Sequence, residues 1–282
     1  MVYTPCIRRN AGFVIIKTDR GTNVKKILTT VVTALAFLVL GVNSVFAQDD
    51  AAEEPDWTPV ETFTCNYLDG KGPGDLAAVI DEWNEWWDDR GMNSYFAATI
   101  TPYYFGEKNF DLGWLGAWTD GTAMGSSLDT WVTDGSEMGA KFFEVLSCGS
   151  HSHFASINVR QPQDNDDEND DSFILNFSNC SFEEDKSLGD YIAAQDEWNA
   201  YADDIGIIGG TWIMFPLAGE TNDDYDFKLV NSEPDHTTAG ANWDVYAQGH
   251  YRKSNELFGD ILDCDIDRAY SATVQRSIKS DD

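Results

Sequence analysis

The sequence predicts an α+β protein made of two tandem β-α-β-β-α-β units, the ferredoxin-like order. Three observations carry that prediction. The chain matches itself at an offset of 115: from Cys65 to Gly91 against Cys180 to Gly206, 12 of 27 positions are identical without a gap. Each copy runs through the same succession of strand-period and helix-period segments. Four cysteines, Cys65, Cys148, Cys180 and Cys264, fall at matching places in the two copies. The clearest pair of segments is "DEWNEWWDDRG" from Asp81 and "DEWNAYADDIG" from Asp196. The match resumes at Asp120–Trp131 against Asp235–Tyr246, and Arg160 then answers Arg276. Agreement of this extent reads as a tandem duplication, and two copies of this length as paired domains, not a solenoid.

The elements follow in order. "VETFTCNYL" alternates and is rich in Thr and aromatics, so it reads as a strand. "PGDLAAVIDEWNEWWDDRG" places Leu76, Val79, Ile80, Trp83 and Trp87 on one helical stripe. Gly74 or Asp75 can cap its start, and Gly91 suits the left-handed position after its end. "SYFAATITPYYF" and "DLGWLGAWTD" read as two strands. "TAMGSSLDTWVTDGSEMGAKFFEVLS" reads as two helical pieces meeting near Gly135, and "SHFASINVR" as a last strand. The first copy spans 58–160 and the second 172–278. Between them, 161–171 is an acidic, apolar-free linker. Neither it nor "DCDIDR" from Asp263 has the loop Gly and distal Glu of an EF-hand.

In this topology the first and last strands are antiparallel neighbours. Cys65 lies near the end of the first and Cys148 begins the last. Of three possible pairings, the topology selects Cys65–Cys148 and Cys180–Cys264, one bridge per copy.

Lys25-Lys26, the apolar run "ILTTVVTALAFLVLGV" and "NSVFA" ending at Ala47 have the form of a secretory leader. Residues 1–47 are therefore expected to be removed, with 1–23 an extension ahead of a start at Val24. No membrane span is expected afterwards. The four remaining cysteines then face an oxidising compartment, periplasmic or extracellular. Removal takes away six basic residues and one acid, shifting the formal charge from −31 to −36. Such a surface repels nucleic acid and anionic lipid. It suits a saline setting in which counterions screen the charge, as for a marine or halophilic bacterium.

A ferredoxin-like unit must cover the bare face of its sheet. Two such units in one chain, sheet against sheet, resemble the dimeric α+β-barrel superfamily, which includes antibiotic-biosynthesis monooxygenase-like proteins, muconolactone isomerases and the haem-binding chlorite dismutases. The resemblance covers roughly 60–160 and 173–276 and rests on element order and duplication. It implies an intrachain barrel and ligand binding between helix and sheet. It transfers no functional residue, because the superfamily hosts unrelated chemistries.

Candidate residues come from the repeat and from its exceptions. Asn84 and Asn199 sit at the edge of the helical stripe, either bonding a neighbouring backbone or pointing into the helix–sheet cleft. Trp83 and Trp198 should pack each helix on its own sheet. Asp88-Asp89 and Asp203-Asp204 stand at helix C-termini, where the dipole disfavours acids; solvent is the ordinary carrier of such charges. The aromatics Tyr103–Phe105, with Trp114 and Trp118, are denser than a two-layer core needs. Leu217, Ala218, Leu229 and Glu233 occupy that region of the second copy. His151 and His153 share one strand face and are answered by Asp267 and Ala269. They could hold a metal or an axial haem position. No cofactor is firmly implied, and the oligomeric state is left open.

The chain has no G-x-S-x-G, H-E-x-x-H, C-x-x-C, phosphate loop or G-x-G-x-x-G, which excludes the common hydrolase, zincin, thioredoxin-like and nucleotide-binding signatures. The leading expectation is an exported protein that binds a small apolar or aromatic molecule, with cofactor-independent catalysis left open. The alternatives are an interaction protein of the periplasm or cell surface, and a metal or haem protein using His151 and His153.

Overall fold

The computed structural model describes residues 56–163, 171–219 and 224–279. The leader segment 1–47 and most of the acidic linker lie outside them. The first copy contains β1 (Trp57–Tyr67), α1 (Pro73–Asp88), β2 (Tyr95–Tyr104), β3 (Leu112–Trp118), α2 (Gly121–Asp134), α3 (Ser136–Phe143) and β4 (Leu146–Arg160). The second contains β5 (Ser172–Phe182), α4 (Leu188–Asp204), β6 (Gly210–Ala218), β7 (Phe227–Glu233), α5 (His236–Val245), α6 (Tyr251–Phe258), β8 (Leu262–Cys264) and β9 (Arg268–Arg276). A π-turn at Tyr246–His250 joins α5 to α6. No helix among the described residues is long and apolar enough to cross a membrane.

Within the first copy the strand order is β4-β1-β3-β2, and within the second it is β9-β5-β7-β6. Both edges are then stitched across the copies, β4 to β6 and β2 to β9, all antiparallel. The two sheets therefore close into one eight-stranded barrel, with the short β8 extending β9 along β5. Closure leaves no sheet edge unpaired around the ring. Val60, Ile100, Phe154, Leu175, Val230 and Tyr270 fill its interior. The helices pack outside the barrel, α1–α3 over the first copy's strands and α4–α6 over the second copy's strands and part of β4.

Local chemistry explains the helices. Pro73 occupies the first turn of α1, and Asp75 accepts a hydrogen bond from the Gly72 N–H at 3.0 Å. The cap is thus Gly72, two residues before Gly74 and three before Asp75, the caps the sequence suggests. In α4, Ser187 caps and Asp190 returns the bond to the Ser187 N–H at 2.9 Å. Gly91 and Gly206 end these helices at φ +66° and +76°, a conformation glycine adopts freely. Gly135 separates α2 from α3; a side chain there would press on Trp131. The apolar stripe of α1 is buried at Leu76, Val79, Ile80, Trp83 and Trp87. Trp198 differs from its counterpart Trp83. It is half-buried and packs on Tyr201 and on Phe258 of α6, because Tyr191 already fills the space over the sheet.

Cys65 pairs with Cys148 across β1 and β4, and Cys180 with Cys264 across β5 and β8. These are the bridges expected from the topology.

The repeated Asn and Asp have a shared structural role that spans the copies. Arg160, at the end of β4, is buried and donates to Asp203 Oδ1 at 2.7 Å and to the carbonyls of Asn199, Ile207 and Gly209. Arg276, at the end of β9, is likewise buried. It meets Asp88 at 2.9 Å and donates to Met92 O and Asn84 Oδ1. Asn84 donates to Gln275 O at 2.9 Å, and Asn199 to Val159 O at 2.7 Å. Each copy's helix thus grips the last strand of the other. Asp88 and Asp203 are not carried by solvent alone: each is a counter-charge to a buried arginine. Hydrogen bonds from Lys279 and Arg276 hold the Asp88 carboxyl below the usual carboxylate range.

Candidate functional site

The helix layer of the first copy is hollow. Between α2–α3 and the outer face of β1, β3 and β4 lies a cavity of about 510 Å³. That is within the range of about 300–1,000 Å³ typical of small-molecule sites. Five indoles, Trp83, Trp87, Trp114, Trp118 and Trp131, contribute to its wall. They are mutually braced: Trp83 meets Trp114 edge to face at 5.2 Å, and Trp131 stacks on Trp87 at 6.3 Å. Leu128, Val132 and Phe143 rim the cavity, with Val132 81% exposed and Phe143 70% exposed.

The sheet side of this apolar cavity carries a polar chain. Glu61 shares the outer face of β1 with Phe63 and Cys65 and is only 9% exposed. Tyr95 donates its hydroxyl to Glu61 Oε1 at 2.6 Å, and Trp114 donates its N–H to Tyr95 Oη at 3.0 Å. His151 Nε2 meets Glu61 Oε2 at 2.7 Å, and its ring lies flat on Phe63 at 3.8 Å. Burial, then the neighbouring Glu61 charge, push the Tyr95 hydroxyl well above the ordinary tyrosine range. Tyr95 therefore stays protonated and acts as a donor. Gly116, directly across from Glu61 on β3, makes this possible: a Cβ there would overlap the Tyr95 hydroxyl. His151, with a half-exposed side chain, is the accessible end of the chain. Two further indole N–H groups of the wall, on Trp87 and Trp118, are buried without a hydrogen-bond partner.

The structure brings Trp114, Trp118 and His151 into this one cavity. Asn84 and Asn199 sit in the grips between the copies instead. Tyr103 stands apart from the cavity at the far end of β2, half-exposed against Tyr104 and His236. Trp114 and Trp118 face the helices, so the aromatic cluster is divided between the cavity and the surface. His153 is half-buried beside the wall, its Nε2 without a partner. His151 turns its Nε2 onto Glu61, and the His153 Nε2 is buried. No group of three metal-capable side chains occurs among the described residues. Glu61 and Tyr95 escape notice in the sequence. The available signal was a carboxylate at i, i+2, i+4 with Phe63 and Cys65, on the face the helices must cover.

A second cavity, about 380 Å³, opens at one end of the barrel between Val60, Phe173, Trp212, Met214 and Glu233. Burial, and next the Asp267 charge, raise the Glu233 carboxyl from its ordinary 4.5 to about 7, although Asn176 donates to it at 3.0 Å.

No family model matches the sequence, and no curated protein matches it. Among solved structures, the chain is similar to an anthrone oxidase-like protein at 10% identity and TM-score 0.47, covering 81% of this chain and 98% of that one. It is also similar to a chlorite dismutase from Candidatus Nitrospira defluvii at 11% identity and TM-score 0.46, covering 78% and 92%. The likeness is one of fold. By its own strand topology the chain is a closed antiparallel barrel with four strands from each copy.

Proposed function

We propose that this is an exported binding protein whose ligand is a flat, largely apolar molecule carrying an acceptor oxygen, held in the cavity of the first copy. The observation that carries the reading is a small-molecule-sized aromatic cavity with a buried carboxylate in its wall. An apolar core has no use for such a group, and burying it is costly unless it is fully bonded. The second copy differs at the matching positions. Asn176 replaces Glu61, Leu229 replaces Trp114 and Asp267 replaces His151, while Tyr191, Phe227 and Phe258 pack together in its helix layer. The partnerless N–H groups of Trp87 and Trp118 are the complement of an acceptor on the ligand. Export is supported by the leader-like segment before Gln48 and by the two disulfides.

The test is titration of the protein from residue 48 onward with 2-naphthol, followed by tryptophan fluorescence. Saturable quenching in the wild type, lost in Ala140→Trp at the cavity mouth, supports the reading. Equal quenching in both rejects it. A contact surface for a partner protein is the second reading, favoured by the adjacent exposed rings of Tyr103, Tyr104 and Phe105. A shift in sedimentation on replacing those three by Ser would favour it.

A further inference from the structure

We infer that His151 is a general base, held in working orientation by Glu61, which removes a proton from an acidic C–H beside a carbonyl of the ligand. This rests on the ligand-cavity reading above and assigns it a reaction class.

The geometry supplies each part. With its Nε2–H donated to Glu61, the imidazole keeps its lone pair on Nδ1. Phe63 fixes the plane of the ring from one side. The Glu61 carboxylate is itself fixed, one oxygen to Tyr95 and the other to His151. It therefore cannot rotate away, and it stabilises the imidazolium that forms. This is the nucleophile-free part of a triad: base, orienting carboxylate, and a donor behind the carboxylate. Tyr95, protonated and buried, is a donor and not the base. Glu61, buried with both oxygens occupied, is a positioning residue. Only His151 combines a free nitrogen, exposure and a place on the cavity wall.

The step balances without a co-reactant. Nδ1 takes the proton, and the C–H electron pair moves to form the enolate, with negative charge on the former carbonyl oxygen. Return of the proton to the same or a conjugated carbon completes exchange or isomerisation. The second copy lacks this arrangement, since Asp267, Asn176 and Ser178 stand where His151, Glu61 and Phe63 stand in the first.

The test uses 5-nitrobenzisoxazole, a flat aromatic probe. A base removes its C3 proton, the N–O bond breaks, and the pair leaves on oxygen to give a nitrile and a coloured phenolate. The expected result is saturable turnover by the wild type. His151→Gln should lower kcat by about 100-fold or more, within the range of a positioned base. Glu61→Gln should lower kcat by about tenfold or more with KM unchanged, the mark of lost orientation and not lost binding. His151 is half-exposed, so its variant should keep the wild-type near-ultraviolet dichroism. Should Glu61→Gln fail to fold, Tyr95→Phe asks the same question from behind the carboxylate. Quenching of tryptophan fluorescence by the probe, with turnover no faster than in His151→Gln, would overturn the base and leave the cavity standing. Neither quenching nor turnover would overturn both.

Discussion

In the first copy, five indoles surround open space and Glu61, Tyr95 and His151 lie beneath it. In the second, Tyr191 and Phe227 close over the sheet with Phe258, and the matching strand positions hold Asn176 and Asp267. Yet both copies keep a disulfide on the first strand, to the last strand β4 in one and to the short β8 that precedes the last strand in the other, along with the glycine after the first helix and the arginine gripped by the other copy's helix. What the copies share is what the barrel needs in order to close. What only one retains is not required for folding, since the other half folds without it. That contrast is the ground for proposing the ligand site in the first copy.

The shared features should fail equally when removed. Replacing both cysteines of either bridge by Ala opens loops of 83 and 84 residues. In the chain-entropy account each should cost about 4 kcal/mol. Urea unfolding of the two variants should agree closely; a large difference would break the symmetry. Arg160→Met and Arg276→Met should come next, at about 3 kcal/mol each. Each strands buried acceptors; Asp203 loses its ion pair while Asp88 keeps Lys279 at 2.7 Å, and both aspartates are partly solvated, which softens the loss. Thermal denaturation would check whether the two midpoints fall together.

The private features should fail unequally. Gly116→Ala forces Tyr95 off Glu61 and should cost about 2 kcal/mol in strain and broken hydrogen bonds, with loss of 2-naphthol binding. Asn231→Ala, at the matching position, removes only a bond from Thr211 and should cost about 1 kcal/mol without affecting binding. Equal effects on binding would contradict the contrast.

The smallest effect concerns pH. Glu233 occupies the place of Trp118 in the second copy, and its carboxyl is raised from 4.5 to about 7. The native state therefore holds a proton that the unfolded chain has released. Stability from this group is complete below about 4.5 and is lost as pH rises through about 7. Glu233→Gln should flatten that part of the stability–pH curve, whereas Trp118→Phe should leave it unchanged.

The sequence disclosed the element order, the bridges and the helical stripe of α1, because each is local or is repeated. It disclosed less where meaning depends on a distant partner. Arg160 and Arg276 were visible only as a matched pair; that each crosses to the other copy follows from barrel closure, which no local pattern encodes. Trp198 matched Trp83 letter for letter, yet α6 and Tyr191 gave it a different neighbourhood. Glu61 and Tyr95 are separated by 34 residues and meet because Gly116 leaves room between them. Trp114, Trp118 and His151 drew notice because they depart from the repeat. Tyr103 departs from it as well, but the end of β2 carries it out to solvent.

The most direct measurement is native mass spectrometry of the protein recovered from cells that export it, wild type beside Ala140→Trp. The account predicts one non-covalent adduct on the wild type, released on denaturation and missing from the variant. Bare polypeptide masses for both proteins, or the same adduct on both, would contradict it.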